Sequence, residues 1–110
     1  MSSYPQPFAI RVAPREDGSV RVKVCGELDM STSPQLDETL RREIDAGNRV
    51  VVDLSEIAFI DSTGLNTLIT ALRAASSNGG ALMVGPSLPA HVQRLFEITG
   101  LNDVLPIAAE

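Results

Sequence analysis

Apolar positions along this chain follow two rhythms, one of two residues and one of three to four. Phe8, Ile10 and Val12 alternate with other residues, and Val20, Val22 and Val24 alternate with Arg21 and Lys23. A period of two predicts two strands, the second clearly half-buried. Asp17-Gly18 between them is a turn signal, so the pair is expected to form a hairpin. Leu36, Leu40 and Ile44 then make one helical stripe that starts near Thr32, Ser33 and Pro34. Either Ser33 caps this helix with Pro34 at its first position, or Thr32 caps it with Gln35 closing a capping box. Gly47 is a natural stop. Val50-Val51-Val52-Asp53-Leu54 is an almost continuous apolar run, which predicts a central strand covered on both faces.

The helical rhythm returns twice. Ile57-Ala58-Phe59-Ile60 leads into Asp61-Ser62-Thr63-Gly64, after which Leu65, Leu68, Ile69 and Leu72 predict a second helix ending near Asn78-Gly79-Gly80. Ala81-Leu82-Met83-Val84 reads as the next strand. Ser87, Leu88 and Pro89 open a third helix whose apolar set is Val92, Leu95, Phe96 and Ile98, with Gly100-Leu101 as its C-terminal cap. Val104 to Ile107 is expected to be a last, short strand. The element order is β-β-α-β-α-β-α-β. This predicts a single α/β domain, a mixed sheet of about five strands with parallel crossovers, packed with about three helices. Pro5 and Pro7 disfavour regular pairing, so residues 1–6 are expected to be a flexible arm and residues 7–110 the domain.

Composition narrows the function. At 110 residues the chain is one domain's worth, and 44% hydrophobic with 21% charged residues is ordinary for a globular fold. A net charge of −5 argues against direct nucleic-acid binding and against an anionic membrane surface. No apolar run approaches the ~20 residues of a membrane helix, so no membrane insertion is expected. Met1 to Pro7 lacks the basic start and apolar stretch of a signal peptide, and the expected location is cytoplasmic. Cys25 is the only cysteine and reads as a small filler at a strand end. The lone histidine, His91, reads as a surface residue of an amphipathic helix. No phosphate loop, dinucleotide fingerprint or metal-ligand spacing is present, so neither a cofactor nor a metal is expected. No general base can be assigned to Ser62, and the Gly-x-Ser-x-Gly elbow is absent, so no enzyme activity is expected.

The informative stretch is Phe59-Ile60-Asp61-Ser62-Thr63-Gly64-Leu65. At its plainest it is a strand-to-helix loop in which Asp61 or Ser62 caps the helix. Ser62 also sits where a hydroxyl is exposed in most α/β folds. A phosphate is well tolerated at a helix N-terminus, where free N–H groups and the helix dipole favour negative charge. Gly64 costs about 1 kcal/mol relative to Ala in a helix, and its missing side chain leaves room for a partner's backbone or a phosphate.

Glu27-Leu28-Asp29, followed some thirty residues later by Phe59 to Leu65, resembles the anti-sigma factor antagonist family, the STAS domain shared with sulfate transporters. The resemblance extends over nearly the whole chain. Val51-Val52-Asp53-Leu54 resembles the family's central strand, and Val92-Gln93-Arg94-Leu95-Phe96 with Thr99-Gly100-Leu101 its third helix and cap. Many members carry a further C-terminal helix, whereas this sequence runs to Ala108-Ala109-Glu110.

The resemblance implies a bacterial partner switch in transcription and stress regulation. The unphosphorylated antagonist binds an anti-sigma factor that is also a serine kinase, which releases a sigma factor. The kinase phosphorylates the serine after the aspartate, here Ser62, and a serine phosphatase restores it. By the same carry-over, Asp29, Met30, Ser31 and Thr32 join Asp61, Ser62, Thr63 and Gly64 in the partner-binding surface. A second implication is a docking subunit of the same fold, not phosphorylated, in a lipid-transport ATPase or a stress-sensing complex.

Overall fold

A computed structural model describes residues 7–108. The flexible arm expected at residues 1–6 lies outside the described residues. Strands β1 (Ala9–Pro14) and β2 (Val20–Leu28) form the expected antiparallel hairpin. Helix α1 (Ser33–Asp45), strand β3 (Val50–Ile60), helix α2 (Ser62–Ser77), strand β4 (Leu82–Val84) and helix α3 (Ala90–Thr99) follow, then a 3-10 turn at Leu101–Asp103. The sheet order is β1-β2-β3-β4, with β2, β3 and β4 mutually parallel.

Among the described residues four strands stand where about five were expected. The chain after α3 turns through Leu101–Asp103, and the Leu105 N–H still donates to the Leu101 carbonyl at 2.8 Å. Extended pairing is left to one parallel bridge between Val84 and Ile107. Pro106, which has no N–H, contributes only its carbonyl, at 2.8 Å from the Val84 N–H.

The register puts Val22, Val52 and Val84 side by side, with Val50 next to Leu82. These side chains share one face and join Leu36, Leu40 and Ile44 of α1, Leu65 and Leu68 of α2, and Val92 and Phe96 of α3 in one buried core. The helices therefore cover this face. The other face carries Arg21, Lys23, Val51, Asp53 and Met83 in register. Val51 is buried there, but Asp53 is only half-buried and Lys23 pairs with Glu56. The apolar run at 50–54 is thus an inner strand with one helix-covered face and one mixed face, not a strand covered alike on both.

Strand β3 is also longer than its apolar run. Its pairing with β2 steps from Lys23↔Asp53 to Cys25↔Glu56, and from Gly26↔Ile57 to Glu27↔Phe59. At each step β3 holds one residue more than β2, and each extra residue shifts the alternation by one. On the helix-covered face the buried residues of β3 accordingly run Val50, Val52, Leu54, then Ile57, then Ile60. The steady alternation of β2 keeps pace, and Leu28 ends opposite Ile60.

Candidate functional site

Because β2 and β3 end in register, the loops that follow them lie side by side at the carboxyl edge of the parallel strands. In open α/β sheets this edge is the usual place for binding sites. The two loops are tied directly: the Asp61 N–H donates to the Leu28 carbonyl at 3.2 Å.

Asp61 is the N-cap of α2. It adopts an extended backbone, and its carboxylate accepts the Gly64 N–H at 2.9 Å. Its carbonyl takes the Leu65 N–H at 3.0 Å. Of the two caps the sequence allowed, Asp61 is the one used. Ser62 is then the first residue of the helix, and it is exposed. The N–H groups of Ser62 and Thr63 fall in the first turn, where no intrahelical acceptor exists. Neither finds another acceptor among the described residues. An exposed hydroxyl with two open N–H donors at the positive end of a 16-residue helix can carry an anionic group at little local cost.

Gly64 is buried beneath this turn. A Cβ placed on it would come 2.8 Å from Leu28 Cγ and 2.9 Å from Ile60 Cγ1. The room a side chain would need is taken by Leu28 and Ile60, so the glycine lets α2 start flush against the strand ends. This internal contact supplies the reason for a residue that helix propensity disfavours.

The Asp29–Thr32 loop is closed on itself. Asp29 Oδ1 accepts the Ser31 N–H at 2.9 Å and the Ser31 hydroxyl at 2.7 Å. Thr32 Oγ1 donates to the Glu27 carbonyl at 2.8 Å and accepts the Asp29 N–H at 2.9 Å. The bond from the Ser31 hydroxyl is the chief reason the Asp29 carboxyl titrates below its ordinary range; partial burial opposes it, and the N–H groups of Ser31 and Thr32 add to the lowering. Thr32 occupies the N-cap position of α1 without capping it through its side chain, because its hydroxyl is engaged within the loop. The Ser33 hydroxyl does not cap either: it is buried and has no hydrogen-bond partner. Neither capping arrangement anticipated for α1 is formed. Met30, at the tip, is 75% exposed.

Two further features border Ser62. A shallow groove runs between α2 and the turn after α3, lined by Ser62, Leu65, Asn66, Ile69, Thr99 and Leu101. Its far wall is set by Gly100, whose left-handed backbone (φ 76°) ends α3 and turns Leu101 into the core. Sequence reasoning missed Asn66 as part of the site. Its spacing of four from Ser62, which puts both on one helical face, was the available signal. Ile98, expected in the apolar set of α3, is instead 75% exposed beside Thr99. His91 is exposed and lies eight residues before Thr99, about 12 Å along the helix axis from the end that borders Ser62. Among the described residues no group of three or more His, Cys, Asp or Glu side chains could hold a metal ion. No described helix is long and apolar enough to cross a membrane.

Known proteins carry the same plan. Residues 12–106 match the family model described as "Mlab, STAS domain". The anti-sigma-B factor antagonist of Staphylococcus aureus is 38% identical over 93 residues, which is 84% of this chain and 85% of that protein. That of Bacillus subtilis is 30% identical over 96 residues, 87% of each. The crystal structure of an anti-sigma factor antagonist from Mycobacterium paratuberculosis superposes with a TM-score of 0.80 at 26% identity, over 99% of this chain and 92% of that one. With a family model over most of its length and relatives of this closeness, the chain belongs to the STAS domain family of anti-sigma factor antagonists.

Proposed function

We propose that this protein is a cytoplasmic anti-sigma factor antagonist switched by reversible phosphorylation of Ser62. In the unphosphorylated state it binds an anti-sigma factor that is also a serine kinase, and a sigma factor is released for transcription. The kinase phosphorylates Ser62, which ends the complex, and a serine phosphatase resets it. The observation that carries this reading is the exposed Ser62 hydroxyl on the first residue of α2, with the Ser62 and Thr63 N–H groups open beside it. Asp29, Met30, Ser31 and Thr32, held next to Asp61 by the Leu28 carbonyl, form the second part of the contact surface. Thr63 lies with Ser62 in the first turn, and Gly64 sets the depth at which that turn stands.

The physical argument favours a block at the interface over a change of fold. A phosphoryl group adds about −1.5 to −2 charge near pH 7. Repulsion from Asp61 and attraction to the helix start offset each other to within about 1 kcal/mol. Against a partner with no cation to meet it, the same group loses its hydration. A penalty of only ~3 kcal/mol weakens binding more than a hundredfold.

Mapping phosphorylation by mass spectrometry on the native protein, from growing and from stressed cells, tests the reading. Occupancy of Ser62 that changes with condition is expected. Ser62→Ala should fold, bind the kinase and ignore ATP; ATP-dependent release of Ser62→Ala would sink the assignment. Ser62→Asp supplies less charge and fewer oxygens and should mimic the modified state poorly.

A second reading is a docking subunit that is never phosphorylated. The exposed Ser62 at the start of α2 would serve such docking as well, and the matched STAS domain model names no phosphorylation. Absence of phosphate on Ser62 under every condition would select this reading.

A further inference from the structure

The groove beside Ser62 has a composition unlike the rest of the site. Its floor is Leu65, Ile69 and Leu101, and none of its six lining residues is charged. The Thr99 hydroxyl on its far wall is spent on the Leu95 carbonyl at 2.7 Å. The side chains of Ser62 and Asn66, one helical turn apart on the near wall, find no protein partner among the described residues. Ile98 and Val104, near the Thr99–Leu101 turn in the chain, are also 75% and 51% exposed. An apolar floor with one or two convergent polar groups is the makeup of a pocket that takes a hydrophobic side chain and reads the backbone beside it.

We infer that this groove receives an aliphatic or aromatic side chain of the anti-sigma factor, with Asn66 hydrogen-bonding the partner's backbone at that point. The inference rests on the proposed function. Its argument is continuity: Ser62 is itself part of the groove wall, so a kinase that reaches the Ser62 hydroxyl must cover the groove. The floor of Leu65, Ile69 and Leu101 selects an apolar occupant, and a basic one would find no charge in the lining to pair with. The arrangement also explains how one phosphoryl group could decide the complex. Placed on the wall, it stands at the mouth of the groove, and an apolar side chain could enter only by stripping water from a dianion.

The test uses the full chain and the purified kinase that phosphorylates Ser62. Binding is measured by calorimetry without ATP. Asn66 is exposed, so Asn66→Arg should keep the wild-type thermal midpoint while its longer, charged side chain lies across the groove. At least a tenfold loss of affinity is expected. A photo-crosslinking residue at position 66 should capture the kinase, and phosphorylated Ser62 should abolish the capture. Wild-type binding retained by Asn66→Arg to within twofold would overturn the inference and leave the Ser62 switch intact, as would capture of a second copy of this chain. If no kinase binds or modifies the wild type, the underlying reading fails, and the groove with it.

Discussion

A methyl group added to Gly64 would come 2.8 Å from Leu28 Cγ, closer than side-chain carbons approach one another. The contact joins the first turn of α2 to the last residue of β2, and so joins the two loops of the site.

Gly64→Ala should therefore destabilise the protein. The gain in helix propensity is about 1 kcal/mol, whereas overpacking against two buried side chains costs roughly 1–3 kcal/mol. The expected sign is a lower thermal midpoint together with weaker kinase binding, because α2 must lift away from Leu28 and Ile60 and carry Ser62 with it. A Gly64→Ala protein with a raised midpoint and unchanged binding would show that the turn has slack.

Asp61 acts on the same turn by another route. Asp61→Ala removes the acceptor for the Gly64 N–H and should cost about 1 kcal/mol of stability. Asp61→Asn keeps an acceptor oxygen at the cap and should recover most of that loss in a denaturant titration. If the two variants unfold at the same midpoint, the carboxylate contributes by charge and not as a cap.

The Asp29 turn gives a pH signature. Its carboxyl is lowered in the folded protein, so its contribution to stability is complete above the ordinary carboxylate value and is lost as pH falls through the lowered folded value. Ser31→Ala removes the leading cause, and Asp29 should then titrate at higher pH when followed by carboxyl-carbon NMR. An unmoved titration would mean that the Ser31 hydroxyl does not hold Asp29 in solution.

Ser33 offers a gain. Its hydroxyl is buried at the start of α1 without a partner, and an unsatisfied buried polar group costs about 1–3 kcal/mol. Ser33→Ala should leave the thermal midpoint unchanged or raise it by several degrees. A clear fall would reveal a hydrogen bond in solution, for example to a bound water.

What could be read from the sequence follows from how local each determinant is. The alternation of Val20, Val22 and Val24, the helical stripe of α1 and the Gly100-Leu101 cap are set by neighbours in the chain, and each stands where expected. The phase of β3 beyond Leu54 is set by β2, which no pattern within β3 reports. The role of Gly64 is hidden for the same reason, since Leu28 lies 36 residues away in sequence. The capping of α1 was misjudged because Thr32 spends its hydroxyl on Glu27, five residues back. Ile98 has the hydropathy of a core residue and the position of a surface one. Ser62 and Asp61 were legible because a helix cap is written into four consecutive residues. Asn66 and the groove were not, because a third of the lining, Thr99 and Leu101, comes from the end of α3 and the turn after it.

The two surplus residues of β3 have a consequence for how this chain can change length. Losing the surplus residue at either step would close that bulge and leave the pairs beyond it, Leu28↔Ile60 among them, as they are. The hairpin at 15–19 has slack of another kind, since an insertion there lengthens a turn and moves no strand pair. The segment from Leu54 to Ile60 thus holds two residues of slack, and it can shorten by either one and still deliver Asp61 beside Leu28.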